Sequence, residues 1–201
     1  MHDAGESECR KDALLDPRIR RSRQMLHDAL AQLLTQKEFD KISIQEIAEQ
    51  AGLNRATFYS HYPDKFTLLN CMVGTRFHGL MARRNVQVND CGGALKAIAM
   101  GVCDFLIDMP GVGVAAGGGQ VEGSIQMAIV EVVQGILLRG MNRHEPRDPV
   151  DAKTLAATIA WAIYGAAYTW VRTEERCTAE HMAEALDRLI SPMLHAGASG
   201  G

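Results

Sequence analysis

The chain has 201 residues, 47% of them hydrophobic and 22% charged, the balance of one globular domain or two small lobes sharing a core. No uninterrupted apolar run reaches the roughly 18 residues of a membrane span. The polar start MHDAGESECRKD lacks the apolar core of a secretory signal, so a cytoplasmic protein with no membrane partner is expected.

Everything long reads as helix, with no strand pattern and no internal repeat. Residues 1–15 are expected to form a disordered arm. Asp16-Pro17 is a start signal, aspartate as cap and proline at the first helical position. Ile19, Leu26, Ala29, Leu30 and Leu33 then recur at helical steps and predict one apolar face. Ser43-Ile44-Gln45-Glu46 matches a capping box, and the short helix it opens is closed by Gly52 in a left-handed conformation. Asn54 caps the next helix, which must end before Pro63 because the residue preceding a proline is pushed out of the helical region. Asp64 can cap a fourth helix to about Arg84, with Phe66, Leu69, Val73, Phe77 and Leu80 on its buried side.

After a break at Asn89–Gly93, helices are expected over Ala94–Met109 and Ser124–Arg139. Two more run from Asp148 or Asp151 to about Thr173, and from Thr178 onward with Met182, Leu186, Leu189 and Ile190. Gly111–Gly123 reads as a mobile loop or a frayed short helix. Its three consecutive glycines have no following Lys-Ser/Thr and no preceding strand, which excludes a phosphate loop. Residues 196–201 are expected to be a flexible tail. Cys9, Cys71, Cys91, Cys103 and Cys177 make no CxxC pair and no zinc spacing, so reduced thiols, no metal and no cofactor are expected. No GxSxG, HExxH, P-loop or dinucleotide fingerprint is present, and an enzyme is not expected.

The chemistry concentrates in ISIQEIAEQAGLNRATFYSHYPDK, residues 42–65. The first short helix turns Ile44, Ile47 and Ala48 inward, the second Phe58, and Gly52 makes the bend between them. This is a helix-turn-helix pattern, in which the second helix keeps an outer face free. That face carries Arg55, Thr57, Tyr59 and His61. An α-helix fits the DNA major groove, where arginine can donate a bidentate pair to guanine and threonine can bond or pack on a thymine methyl. Charge agrees with this reading. Pro17 to Lys65 carries eight basic and six acidic residues, a balance of +2, and leaves −5 for the remainder, as in a chain that meets a polyanion with one end. Lys65 stands in the first turn of the fourth helix, where the macrodipole disfavours a cation by a few tenths of a kcal/mol. A phosphate drawn to the same helix end would account for it.

On these residues, positions 17 to 70 resemble the DNA-binding domain of the TetR/AcrR family of bacterial transcriptional regulators. The family's Leu/Phe-Tyr-x-His-Phe motif, followed shortly by lysine, appears as Phe58-Tyr59-Ser60-His61-Tyr62 and Lys65, with Tyr62 in place of the more usual Phe. Its added hydroxyl needs a partner. The resemblance implies an all-α protein: an N-terminal three-helix DNA-binding domain over residues 16–63, then a helical regulatory and dimerisation domain over 64–195. It implies Arg55, Ala56 and Thr57 at base edges with Gln45 directed to the same groove, and Ser43, Tyr59, His61 and Lys65 at phosphates.

It further implies a repressor that binds double-stranded operator DNA of palindromic sequence as a homodimer and leaves it when a small, largely apolar effector binds. The last two long helices would form the dimer interface. The sequence adds its own support, because the Asp151–Thr173 helix carries two adjoining apolar stripes that include Ala162, Gly165, Ala166 and Trp170. Leu186 and Leu189 are the expected contribution of the last helix. Aromatics are only 5% of the chain, so a core rich in Met, Gly and Ala is expected to leave a cavity, lined by Met72, Phe77, Met100, Cys103 and Met127. The alternative is an all-α small-molecule-binding or redox-sensing protein without DNA binding.

Overall fold

The computed structural model describes residues 16–84, 91–108, 120–144 and 148–196, and these are all-α. The helices are α1 (Pro17–Leu34), α2 (Ile44–Gln50), α3 (Arg55–His61), α4 (Lys65–Arg83), α5 (Cys91–Asp108), α6 (Gln120–His144), α7 (Pro149–Val171) and α8 (Ala179–Ala196), with a 3-10 turn at Phe39–Lys41. The expected arm at 1–15 and the tail beyond Ala196 lie outside the described residues. So do 111–119 of the expected glycine loop, whereas Gln120–Gly123 are helical. Glycine at position 123 costs a helix only about 1 kcal/mol, and the apolar run that follows carries it. The break expected at Asn89–Gly93 ends earlier than the sequence suggested, since Cys91, Gly92 and Gly93 already belong to α5.

The described residues separate into two compact units, 16–75 with 120–128 and 76–108 with 129–196. In the first, local signals set the starts of α1 to α4. The Asp16 carboxylate accepts from the Arg18 N–H at 2.8 Å, and Asp64 accepts from the Thr67 N–H at 2.7 Å. Leu26, Leu30, Ile42, Ile47, Phe58, Tyr62, Leu68, Leu69 and Met72 are fully buried. Ile19 departs from the predicted face. It sits in the first turn among the exposed Arg18, Arg20 and Arg21, and is itself 38% exposed; burial along α1 begins at Arg23.

In the second unit α5 packs on α7 and α8, which also pack on each other. Asp148, not Asp151, caps α7, accepting from the Val150 N–H at 2.8 Å, with Pro149 at the first position. Thr178 caps α8 through the His181 N–H. Phe77 meets Phe105 edge-on at 5.2 Å. A Cβ at Gly101 would fall 1.9 Å from the Met81 Cε, so glycine there is what lets the methionine lie against α5. Glu122–Met141 within α6 is long and apolar enough to cross a bilayer by length and composition, and 56% of it is buried inside the protein, as in the core helix of a globular fold.

Candidate nucleic-acid interface

The interface is built from the turn before α2 outward. The Ser43 hydroxyl accepts from the Glu46 N–H at 3.2 Å, and Glu46 Oε2 accepts from the Ser43 N–H at 2.9 Å and its hydroxyl at 2.8 Å. This is the expected capping box, with an addition the sequence reading missed: Lys37 pairs with the other carboxylate oxygen of Glu46. The hydrogen bond from Lys37, then those from Ser43, holds the Glu46 carboxyl down at about 2. Helix α2 therefore starts from a fixed ionic frame.

Its end is equally defined. Gly52 has φ of +66°; its N–H reaches Glu49 O at 3.0 Å, and the Leu53 N–H reaches Ala48 O at 2.9 Å. Those two bonds form a Schellman motif, which needs a left-handed residue at this position. Two residues on, Asn54 Oδ1 accepts from the Thr57 N–H at 2.7 Å and the Thr57 hydroxyl at 3.0 Å. The direction of α3 is thus set by hydrogen bonds within a few residues of sequence.

Phe58 and Tyr62, both fully buried, are the floor of α3. The Tyr62 hydroxyl finds two partners on α1: Arg23 Nε donates to it at 3.1 Å, and His27 Nε2 lies 2.9 Å away. The Arg23 guanidinium also lies 5.0 Å over the Tyr62 ring. Burial above all, then the neighbouring Cys71, pushes the phenol well above its ordinary value, with Arg23 opposing; it is a neutral donor and acceptor. Arg23, counted in the sequence only as part of a basic helix, is 7% exposed. The readable signal was the i,i+4 pair Arg23 and His27 on the inner face of α1, opposite a tyrosine where phenylalanine is usual.

Of the residues expected at DNA, Ser43, Gln45, Arg55, Ala56 and Tyr59 are exposed, and Thr57 and His61 half-buried. Arg55 donates to the Tyr59 hydroxyl at 3.1 Å and lies 5.4 Å from its ring, so the base-reading candidate rests on its i+4 neighbour. Gln45 donates to Glu49 at 2.6 Å. Desolvation first, then the Arg23 charge, lowers His61 below the ordinary imidazole range. Lys65, expected at a phosphate, points inward. Its ammonium donates to the carbonyls of Phe39 at 3.0 Å, Asp40 at 3.2 Å and Ile42 at 2.8 Å, and sits 4.6 Å over the Phe39 ring. Peptide dipoles at the end of the 3-10 turn offset the unfavourable dipole of α4, where a phosphate had been the expected reason for a cation.

The expected effector pocket divides between units. Met72 and Met127 belong to the first, and Phe77, Met100 and Cys103 to the second; Met127 is 45% exposed. Its position on α6 continues the helix surface away from buried Ile125 and Ala128. Burial pushes the Cys103 thiol up to about 12, the reverse of a reactive thiolate. In the expected dimer set, Ala162, Gly165 and Leu189 are exposed, while Ala166 and Leu186 are half-buried. Trp170 is not at the surface: its indole N–H donates to Cys177 O at 2.7 Å and Arg176 covers its ring at 4.8 Å. Trp161, on one of the two apolar stripes of α7, is 42% exposed, and Met193, which the sequence reading missed, is 41% exposed.

Two short capped helices joined at a left-handed glycine, the second with its polar face open, define a helix-turn-helix protein. Residues 26–72 match the family described as bacterial regulatory proteins, tetR family. Over 70 residues the chain is 37% identical to an HTH-type transcriptional regulator of Bacillus subtilis, YxbF. The match covers 34% of this chain and 18% of that protein, so the chain spans less than a fifth of this curated relative's length.

Solved structures share the fold over nearly the whole chain. A TetR regulator from Rhodococcus sp. RHA1 has a TM-score of 0.64 at 13% identity, covering 90% of this chain and 98% of its own. The TetR repressor AlkX from a Dietzia strain, implicated in n-alkane biodegradation, has a TM-score of 0.57 at 21% identity, covering 86% and 97%. Residues 26–72 thus match the TetR family's N-terminal domain, and the fold of the whole chain is shared with solved TetR-family structures.

Proposed function

We propose that this TetR-family regulator is a repressor that binds a palindromic operator as a homodimer and is released by a small, largely apolar ligand. One observation carries the reading: the polar face of α3, with exposed Arg55, Ala56 and Tyr59, stands on a fully buried floor of Phe58 and Tyr62. A rigid helix with a free polar face suits the major groove. Arg55 contributes base preference, with Thr57 and Gln45 beside it, while Ser43, Tyr59 and His61 approach phosphates. A helix of about two turns reads few base pairs, so two copies one helical turn apart, about 34–36 Å, give the needed discrimination.

The second copy fits α7 and α8, where Trp161, Leu189 and Met193 leave apolar surface exposed beside the small residues Ala162 and Gly165. A released repressor suits the fold, in which α4 supplies residues to both units. Among the structural relatives, RolR (TM-score 0.58, 15% identity) is known in complex with resorcinol and FadR of Bacillus subtilis (TM-score 0.50, 15% identity) with stearoyl-CoA. Each ligand offers an apolar portion, an aromatic ring in one and an acyl chain in the other.

The test begins with duplexes enriched by the protein from a randomised pool. Binding should be two-fold symmetric, should involve a dimer, and should weaken steeply with salt through counterion release. Arg55→Ala should cost about 1–3 kcal/mol on the enriched sequence and relax its base preference. Binding by a monomer, or binding indifferent to salt, would refute the reading.

A further inference from the structure

Lys65 is the first residue of α4, and its side chain turns back to the segment that leads into α2. An ammonium has three N–H donors, and here three carbonyl oxygens, those of Phe39, Asp40 and Ile42, receive them at 2.8–3.2 Å. The Phe39 ring closes the socket at 4.6 Å from the nitrogen, and Phe39 is itself buried and edge-on to Phe66 of α4 at 5.2 Å. The carbonyls belong to a 3-10 turn whose own bonds are few: Lys41 N–H to Glu38 O and Ile42 N–H to Phe39 O, both at 3.0 Å. Such a turn is weak alone. Immediately after it Ser43 caps α2.

We infer that Lys65 is a positioning residue that fixes α2 to the first turn of α4, with its donors spent inside the protein instead of on a DNA phosphate. The inference rests on the DNA-binding reading above and deepens it. Helix α3 is joined to α4 by the three residues Tyr62, Pro63 and Asp64. Helix α2 has no such short connection to α4, and the Lys65 socket ties the two by hydrogen bonds. Both helices of the DNA-reading pair are then anchored at one place, and a displacement of the first turn of α4 moves the pair as one body. Without the tie, α3 would follow α4 by its short connection while α2, with Gln45 and Ser43, lagged behind.

The experiment compares the wild type, Lys65→Met and Lys65→Arg. Methionine keeps the stem and removes the donors. Arginine keeps the charge and would satisfy a phosphate, but its planar fork cannot direct three donors into one converging socket. Amide exchange of Lys41, Ile42 and Ser43 is followed in the free protein, and affinity for the enriched duplex is followed across a salt series. Both variants should exchange faster at these amides and bind about 2- to 30-fold more weakly, with the wild-type salt slope retained.

If Lys65 is a phosphate ligand, Lys65→Arg will match the wild type and Lys65→Met will lose about one unit of salt slope, with exchange unchanged; that result overturns the inference. Should Lys65→Met fail to fold, the arginine variant decides between the two. A wild-type chain that binds no duplex would remove the parent reading, while the exchange arm would still decide whether the tie exists.

Discussion

The two units handle polar and apolar groups in opposite ways. Among the described residues the buried arginine and histidine side chains, Arg23 and His27, are both in the first unit, tied to the hydroxyl of Tyr62. Ion pairs of the second unit, Arg84 with Asp104 and Lys96 with Glu184, are at its surface. Conversely, the second unit leaves Ile107, Val150, Trp161, Leu189 and Met193 substantially exposed, five of the eight large apolar residues so placed, and four of those five lie on α7 and α8. Directional bonds fix a shape to a fraction of an ångström, which a surface that reads base edges needs. Non-directional apolar surface drives association without dictating fine geometry. The first unit orients its helices through directional bonds, and the second leaves apolar surface on α7 and α8.

The comparison breaks most readily at α8. Leu189 is 72% exposed, so Leu189→Arg should leave the protomer folded. If α8 pairs with a second copy, burying an unpaired guanidinium costs several kcal/mol. Sedimentation should then show monomers, and affinity for the enriched duplex should fall at least about 100-fold. A folded variant that remains dimeric would move the interface elsewhere.

Tyr62→Phe tests the opposite side. It removes a hydroxyl that Arg23 and His27 share, leaving buried groups short of a partner, and should cost about 1–3 kcal/mol in urea unfolding. Adding Arg23→Met and His27→Leu should recover part of the loss, because it removes the two α1 polar groups that had shared the hydroxyl. An unchanged midpoint in the single variant would mean the cluster contributes shape alone.

Gly52→Ala should cost about 1–2 kcal/mol, from the left-handed conformation that a Cβ disfavours. A Cβ there meets nothing within 4 Å, so the loss has no steric part, and Gly52→Asn should recover some of it.

The smallest effect is in acid. The Glu46 carboxyl falls from 4.5 to about 2 on folding, so the folded state binds its proton less readily than the unfolded chain. The resulting stabilisation is complete above pH 4.5 and is lost as pH falls through 2. Thermal midpoints of Glu46→Gln and wild type should differ at pH 6 and converge toward pH 2. A constant difference across that range would assign the effect to capping geometry without charge.

The sequence by itself determined the starts of α1, α2 and α3 and the end of α2, because each is fixed within about four residues. Asp16 with Pro17, Ser43 with Glu46, Gly52, and Asn54 with Thr57 are all local contacts that spacing reveals. Tertiary structure alone decided where side chains from distant segments meet. Arg23 and His27 are 39 and 35 residues from Tyr62, and Lys65 is 23 to 26 residues from its carbonyls; no periodicity encodes such pairs. In α7 periodicity revealed two apolar stripes but not which one the fold would cover. Arg176 and the Cys177 carbonyl, in the segment after α7, cover Trp170, while Trp161 stays at the surface, a choice made by the chain that follows and by no property of the stripe itself.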